Sequence, residues 1–246
     1  MREPTLDELD RRLCSRLDAA GQRWLDEARQ QVPRNPCALL RCFSAAGRRI
    51  GRGPLDANAD ETDPWVWRVE DAGRTLLLAA AEPRTVGLLE DLYCHGDAGE
   101  RRGVLRSLAV LGSGVEAVWI VEDAIRSNDV RLITAALGSY AVAHLSDHAF
   151  AHAVLKCVFL GIPLTGVAHA VDVRATPELS RMLAAYVHER IAAGRDVPGD
   201  VWAWIDRHPP IAELRAIEAE LEHPVEDRRR AARAALESRR RCREAS

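Results

Sequence analysis

DAGERRGVLRSLAVLGSGVEAVWIVEDAIRSND, residues 97–129, decides the fold class. Asp97-Ala98-Gly99-Glu100 and Ser113-Gly114-Val115-Glu116 both have capping-box spacing. In that motif the first side chain accepts the amide three residues on, and the glutamate reaches back to the first residue's own N–H. The spacing predicts helices over about 97–111 and 115–127, the second ending at Ser127-Asn128-Asp129. Toward the N-terminus, Pro83 separates a helix over 84–94 from one that Asp63 caps and Pro64 opens, running through Trp65, Val69, Ala72 and Leu76 to about Ala81. RGPLDANADETD, residues 52–63, is polar and irregular and is the best loop candidate. A helix over 36–50 stops at GRRIGRGP, and Leu6, Leu9, Leu13 and Leu17 lie along one stripe of a long amphipathic helix over 5–31 that ends before Pro33. Toward the C-terminus, Ser146 caps 147–160, and Thr176-Pro177 opens 177–193 with Gly194 at the position that favours glycine. Pro198 and Pro209 break the chain beyond Gly194, and Pro224 separates 210–222 from an arginine-rich last helix. Alternating β-branched runs bounded by Asn-Gly or Asp-Gly are absent. The expected fold is all-α: a helical bundle or a short α-solenoid of HEAT-like antiparallel helix pairs, with about 11–13 helices. No period is sharp enough for a named repeat.

The chain has 246 residues and a net charge of −3, with 29% charged and 47% hydrophobic residues, a globular composition. No stretch approaches the roughly eighteen apolar residues that a membrane-spanning helix needs. The opening MREPTLDELDRRL lacks an apolar export region, so a cytoplasmic protein is expected. Of the 34 basic residues 33 are arginine, and Lys156 is the single lysine, beside 39 alanines. Such a bias reflects GC-rich coding and makes individual arginines uninformative. Cys14, Cys37, Cys42, Cys94, Cys157 and Cys242 form no CxxC pair, which removes zinc-ribbon and dithiol redox motifs. Lys156 could depress the thiol of Cys157 and make it nucleophilic, against the plainer reading of a buried thiol. Residues 225–246 hold eight arginines and four acids. Without interleaved aromatic residues this tail reads as a solvated helix with Glu/Arg pairs, and no nucleic-acid partner is expected.

SDHAFAHAVLKCVFLGIPL, from Ser146, stands apart. Phe150, Val154, Cys157 and Val158 share one helical face, while His148, His152 and Lys156 form a stripe at i, i+4 and i+8 on the other, with Leu155 and Phe159 beside them. A helix apolar on both sides is usually buried, so the stripe is expected to look into an interior or a pocket. Three readings compete. A His-x₃-His pair can bind a metal but lacks a third ligand nearby, so no metal is assigned. Lys156 could act as a base or form a Schiff base while the histidines move protons, which makes Lys156, His152 and His148 the catalytic candidates. Alternatively Lys156 neutralises an internal carboxylate, with Asp97, Glu122 and Asp123 as candidates. A second polar cluster, Tyr93-Cys94-His95-Gly96-Asp97 followed by Glu100-Arg101-Arg102, reads either as a pocket rim for an anionic or hydroxylated ligand, or as a helix-ending histidine and a capping aspartate. There is no GxGxxG, GxxxxGK[ST] or GxSxG, so the common nucleotide-dependent and serine-hydrolase chemistries are unsupported and no cofactor is expected.

The run from Tyr93 to Leu108 resembles the "YxxGDxxERRAVLRAL" stretch of EboA-domain proteins, and Ala124-Ile125-Arg126-Ser127-Asn128 resembles their "DAxRTN". Ala149 to Leu164 is similar to "xFNQMVLKALFxGVPL". The likeness continues through Thr176 to Tyr186, Glu189-Arg190, Ala193-Gly194-Arg195, Pro198 and Trp202, with a weaker match over Trp65 to Leu78. It covers about residues 5–208 and divides the chain into an EboA-like helical domain, 1–208, and a C-terminal helical extension, 209–246. Departures are Ala151 in place of the Asn of "FNQ", and Gly138-Ser139-Tyr140-Ala141 in place of "NPYP".

The resemblance implies an all-helical protein encoded in bacterial operons for specialised metabolites, beside a UbiA-like prenyltransferase, a TatD-like hydrolase and sugar-phosphate-type enzymes, with no established set of catalytic residues. The expected function is to bind a small-molecule pathway intermediate in an interior pocket around Lys156 and His152 and to hand it on, the implied partners being other proteins of the same gene cluster. Tyr93, His95, Asp97, Arg101, Asn128 and Arg181 are the substrate-binding candidates. The alternatives are a tailoring enzyme for cyclisation, isomerisation or dehydration through Lys156 and a histidine, and an interaction scaffold.

Overall fold

Ten consecutive residues of one helix, from Val69 to Leu78, are all buried, and the N-terminal half of the chain is arranged around them. The computed structural model describes residues 3–81 and 85–244, the side chain of Pro36 excepted. The expected break at Pro83 lies outside the described residues. By packing, the chain divides into two units, Arg2–Leu145 and Ser146–Ser246.

The first unit contains α1 (Leu6–Cys14), α2 (Ala19–Gln31), α3 (Pro36–Arg49), α4 (Val69–Ala80), α5 (Val86–His95), α6 (Ala98–Val110), α7 (Val118–Arg126), α8 (Val130–Ala136) and α9 (Ser139–His144). Helix α4 packs on α1, α2 and α3 and, most extensively, on α6, which in turn packs on α5 and α8. Most starts follow local capping chemistry. Thr5 and Glu8 form a full capping box before α1, Asp18 caps α2, and Asp97 and Glu100 form the expected box before α6.

The second unit contains α10 (Asp147–Leu160), α11 (Val171–Arg174), α12 (Pro177–Ala192), α13 (Val201–Ile205), α14 (Ile211–Ala219) and α15 (Glu226–Glu244). Ser146 and Thr176 cap α10 and α12 as expected, and Gly194, at φ +65°, takes the left-handed conformation just past α12. Helix α12 is the hub here and packs on α10, α13, α14 and α15, so by packing the helices after residue 208 belong with it. The arginine-rich α15 is laced by local pairs such as Arg230–Asp227 and docks through Arg239, whose Nη2 lies 2.6 Å from Asp206 Oδ1.

The protein is all-α: the described residues hold no strand, only an isolated bridge between Pro54 and Arg68, and no helix long and apolar enough to cross a membrane. They hold fifteen α-helices, more than the eleven to thirteen expected; 5–31, read as one helix, is two separated by Ser15–Asp18. Two starts differ from the sequence reading. Asp63 caps only a turn, its carboxylate accepting the amide of Trp65 at 2.9 Å, and the helix begins at Val69. Pro64 and Trp65 sit in that turn, and Trp65 and Trp67, both buried, follow a period of two up to the bridge at Arg68. That conformation gives the carbonyl of Trp65 to the buried Arg106 at 2.9 Å and lays Arg106 over the Trp67 ring. Ser113 forms no capping box: Gly114 precedes a short 3-10 turn, Val115–Ala117, that leads into α7.

Candidate functional site

Glu70, Asp71 and Arg74 are buried in an otherwise apolar α4, and Arg106 is buried in α6. Charges so placed need partners, because an unpaired buried ion costs several kcal/mol. Arg102 supplies one. Its Nε donates to both carboxylate oxygens of Asp71 at 3.0 and 2.8 Å, and its Nη2 donates to Glu70 Oε1 at 2.7 Å. Burial pushes the Asp71 carboxyl above its ordinary range, and the Arg102 guanidinium pulls the other way. Arg74 instead bridges backbone: its Nε donates to the carbonyl of Phe43 at 3.1 Å and its Nη1 to that of Gly99 at 2.9 Å. Gly103 makes this possible, since a Cβ there would stand 2.6 Å from Arg74 Cδ. One acceptor is left over. Glu70 Oε2 is buried with no hydrogen-bond partner, at a cost of about 1–3 kcal/mol.

Of these groups, Glu70, Arg74 and Arg102 line a pocket of about 330 Å³. Its wall carries Arg52 from the loop after α3, Glu70 and Arg74 from α4, Asp97 at the start of α6, Arg102 from α6 and Arg131 from α8. Arg131 is paired with Asp129, Nη2 to Oδ2 at 2.6 Å. Asp97 accepts the amide of Glu100 at 2.8 Å, which holds its carboxyl below the ordinary value. Four guanidiniums against two carboxylates line the pocket, which suits it to holding an anion.

Of the residues singled out by sequence, Asp97 lines this pocket. Tyr93 and Arg101 are not among its lining residues and are engaged elsewhere. Tyr93 is buried and donates to Asp123 Oδ2 at 2.9 Å, and burial together with that carboxylate raises its phenol from the ordinary value. Arg101 lies over the Tyr93 ring and donates to the carbonyls of Gly96 and Cys94, both at 3.1 Å, closing the end of α5. His95 is exposed at that end, its Nδ1 3.0 Å from the carbonyl of Asp91, and Asn128 is exposed in the turn between α7 and α8. Arg181, in the second unit, is exposed and paired with Glu178 three residues before it.

The stripe on α10 does not look into an interior. His148 and His152 are exposed with their rings 4.4 Å apart, Lys156 is half-buried, and Phe159 is 61% exposed with its edge against Tyr186. Apolar residues on that face are what made it read as buried. Lys156 does not activate its neighbour either: burial raises the Cys157 thiol to about 12, and the lysine offsets only part of this. Among the described residues no group of three or more His, Cys, Asp or Glu is placed to hold a metal.

The pocket residues that sequence reading passed over are Arg52, Glu70, Arg74 and Arg131, while Arg102 stood at the end of the polar cluster read as a possible pocket rim. A signal existed in Glu70 and Arg74, four apart within the apolar run VEDAGRTLLLAA, matched by Arg102 and Arg106, four apart on α6. In comparison with known protein families, residues 5–206 fit the model of the family described as metabolite traffic protein EboA. No curated protein and no solved structure matches.

Proposed function

The chain belongs to the EboA family of metabolite traffic proteins, and from that premise we propose that it binds a small metabolite in the arginine-lined pocket and hands it on within a bacterial specialised-metabolite pathway. The observation that carries this reading is the convergence of Arg52, Arg74, Arg102 and Arg131 on one cavity that also holds the buried Glu70. The pocket's guanidiniums stay charged across the physiological range and two of its acids are already engaged by Arg102 and by a helix start, an arrangement of fixed charges suited to binding. The metabolite is an intermediate made and consumed in the cytoplasm by other proteins of the same gene cluster, and transfer to one of them releases it.

Ligand-shifted melting of the full chain against intermediates of the pathway tests the proposal. A ligand present well above its Kd raises the melting temperature, and Arg52→Ala is expected to reduce that shift without changing the melting of the free protein. A shift that survives Arg52→Ala and disappears in Lys156→Met would move the site to α10 and overturn the assignment.

A further inference from the structure

Building on the binding role proposed above, we infer that the pocket takes a phosphate monoester that also carries a hydroxyl group. The anionic part follows from what the guanidiniums have left to give. Arg52 is exposed and its guanidinium has no hydrogen bond or ion pair among the described residues. Arg74 commits Nε and Nη1 to carbonyls, and Arg102 commits Nε and Nη2 to carboxylates, which leaves Nη2 of the first and Nη1 of the second. At the start of α6 the Asp97 carboxylate already accepts the Glu100 amide and stands among the pocket's lining. The cations therefore carry the site, and they come from four separate segments: the loop after α3, α4, α6 and α8. A planar carboxylate presents two oxygens in one plane, whereas a phosphoryl group presents three around a tetrahedron and can meet donors arriving from several directions.

The hydroxyl follows from Glu70. Its side chain is 8% exposed, Oε1 is held by Arg102, and Oε2 has no donor. A second phosphate oxygen there would be repelled, while an O–H beside the phosphate would supply the missing hydrogen. The same carboxylate discriminates against ligands that are anionic throughout.

Titration calorimetry on the full chain at low ionic strength tests this with glycerol 3-phosphate, inorganic phosphate, glycerol and succinate. Glycerol 3-phosphate is expected to bind most tightly, inorganic phosphate more weakly and glycerol not at all, with affinity falling as salt rises. Arg52→Ala is expected to weaken glycerol 3-phosphate by about tenfold, and Glu70→Gln to remove its advantage over inorganic phosphate. Arg131→Ala is the second test of the cation set, and should Glu70→Gln melt early, the hydroxyl stands or falls on whether the unaltered chain prefers glycerol 3-phosphate to inorganic phosphate. The inference fails if neither phosphorylated probe binds, or if succinate binds as tightly as glycerol 3-phosphate. If a pathway metabolite without phosphate still gives an Arg52-dependent melting shift, the phosphate class falls and the pocket stands. If phosphorylated probes bind indifferently to both arginine substitutions, the pocket assignment falls as well.

Discussion

The Nε of Arg102 in α6 lies 3.0 and 2.8 Å from the two oxygens of Asp71, a carboxylate fully buried in α4. This pair joins the two most extensively packed helices of the first unit, and its Arg102 also lines the pocket. Replacing a buried ion pair by apolar groups is often neutral, but breaking it from one side leaves a buried charge. Arg102→Met is therefore expected to cost about 3–5 kcal/mol in urea denaturation, and Asp71→Leu in the same chain to recover most of that. A pH signature accompanies the loss. Burial already raises Asp71, and removing Arg102 takes away the main charge that opposes the rise. A carboxyl whose folded pKa is raised stabilises when protonated, so Arg102→Met is expected to regain stability as pH falls, and a flat profile would argue against the assignment.

Lys156→Met is expected to leave ligand-dependent melting shifts unchanged. The residue is half-buried on α10 beside two exposed histidines, in the second unit, whereas the pocket residues all belong to the first. Differential scanning fluorimetry of the two chains with the same ligand decides it, and a lost shift would restore α10 as the site.

Cys157 is expected to resist alkylation in the native protein. Its thiol is buried and burial raises it to about 12, so at pH 8 almost none of the thiolate that reacts is present. Cys14, Cys37 and Cys94 are exposed and should label first with iodoacetamide, read by mass spectrometry of peptides. Early labelling of Cys157 would mean that α10 opens readily.

The helices were legible where the signal is local. Asp97 and Glu100 cap α6, Ser146 caps α10 and Thr176 caps α12, each from groups three residues apart in sequence. Residues 64–68 were not, because a capping aspartate and a proline suit a helix start, whereas here they make only a turn and the Trp65 carbonyl goes to the distant Arg106. The arginine-lined pocket was hard to read from sequence for a related reason. Composition made one lysine conspicuous and 33 arginines ordinary. Yet Arg74 and Arg102 are the informative cations, since what marks them is burial against carbonyls and carboxylates from other helices, a relationship that no single helix's periodicity encodes.

Glu220 ties the start of α15 to α12. It is 5% exposed, accepts Arg228 through Nε at 2.7 Å and through Nη2, and accepts His188 Nε2 at 2.9 Å. The Arg228 hydrogen bonds, with a smaller contribution from His188, hold its carboxyl below the ordinary 4.5. The sign follows from linkage. A carboxyl with a lowered folded pKa stabilises fully above its unfolded value of about 4.5, and that contribution disappears as pH falls through the folded value. Glu220→Gln is thus expected to lose about 1–3 kcal/mol at pH 7, the range of a hydrogen-bonded charge, and to lose less than the wild type between pH 5 and pH 3. Glu226→Gln is the control: Glu226 pairs with Arg229 at 59% side-chain exposure and should change stability by no more than about 1 kcal/mol. Equal acid slopes for wild type and Glu220→Gln in urea denaturation would show that the carboxylate does not anchor α15.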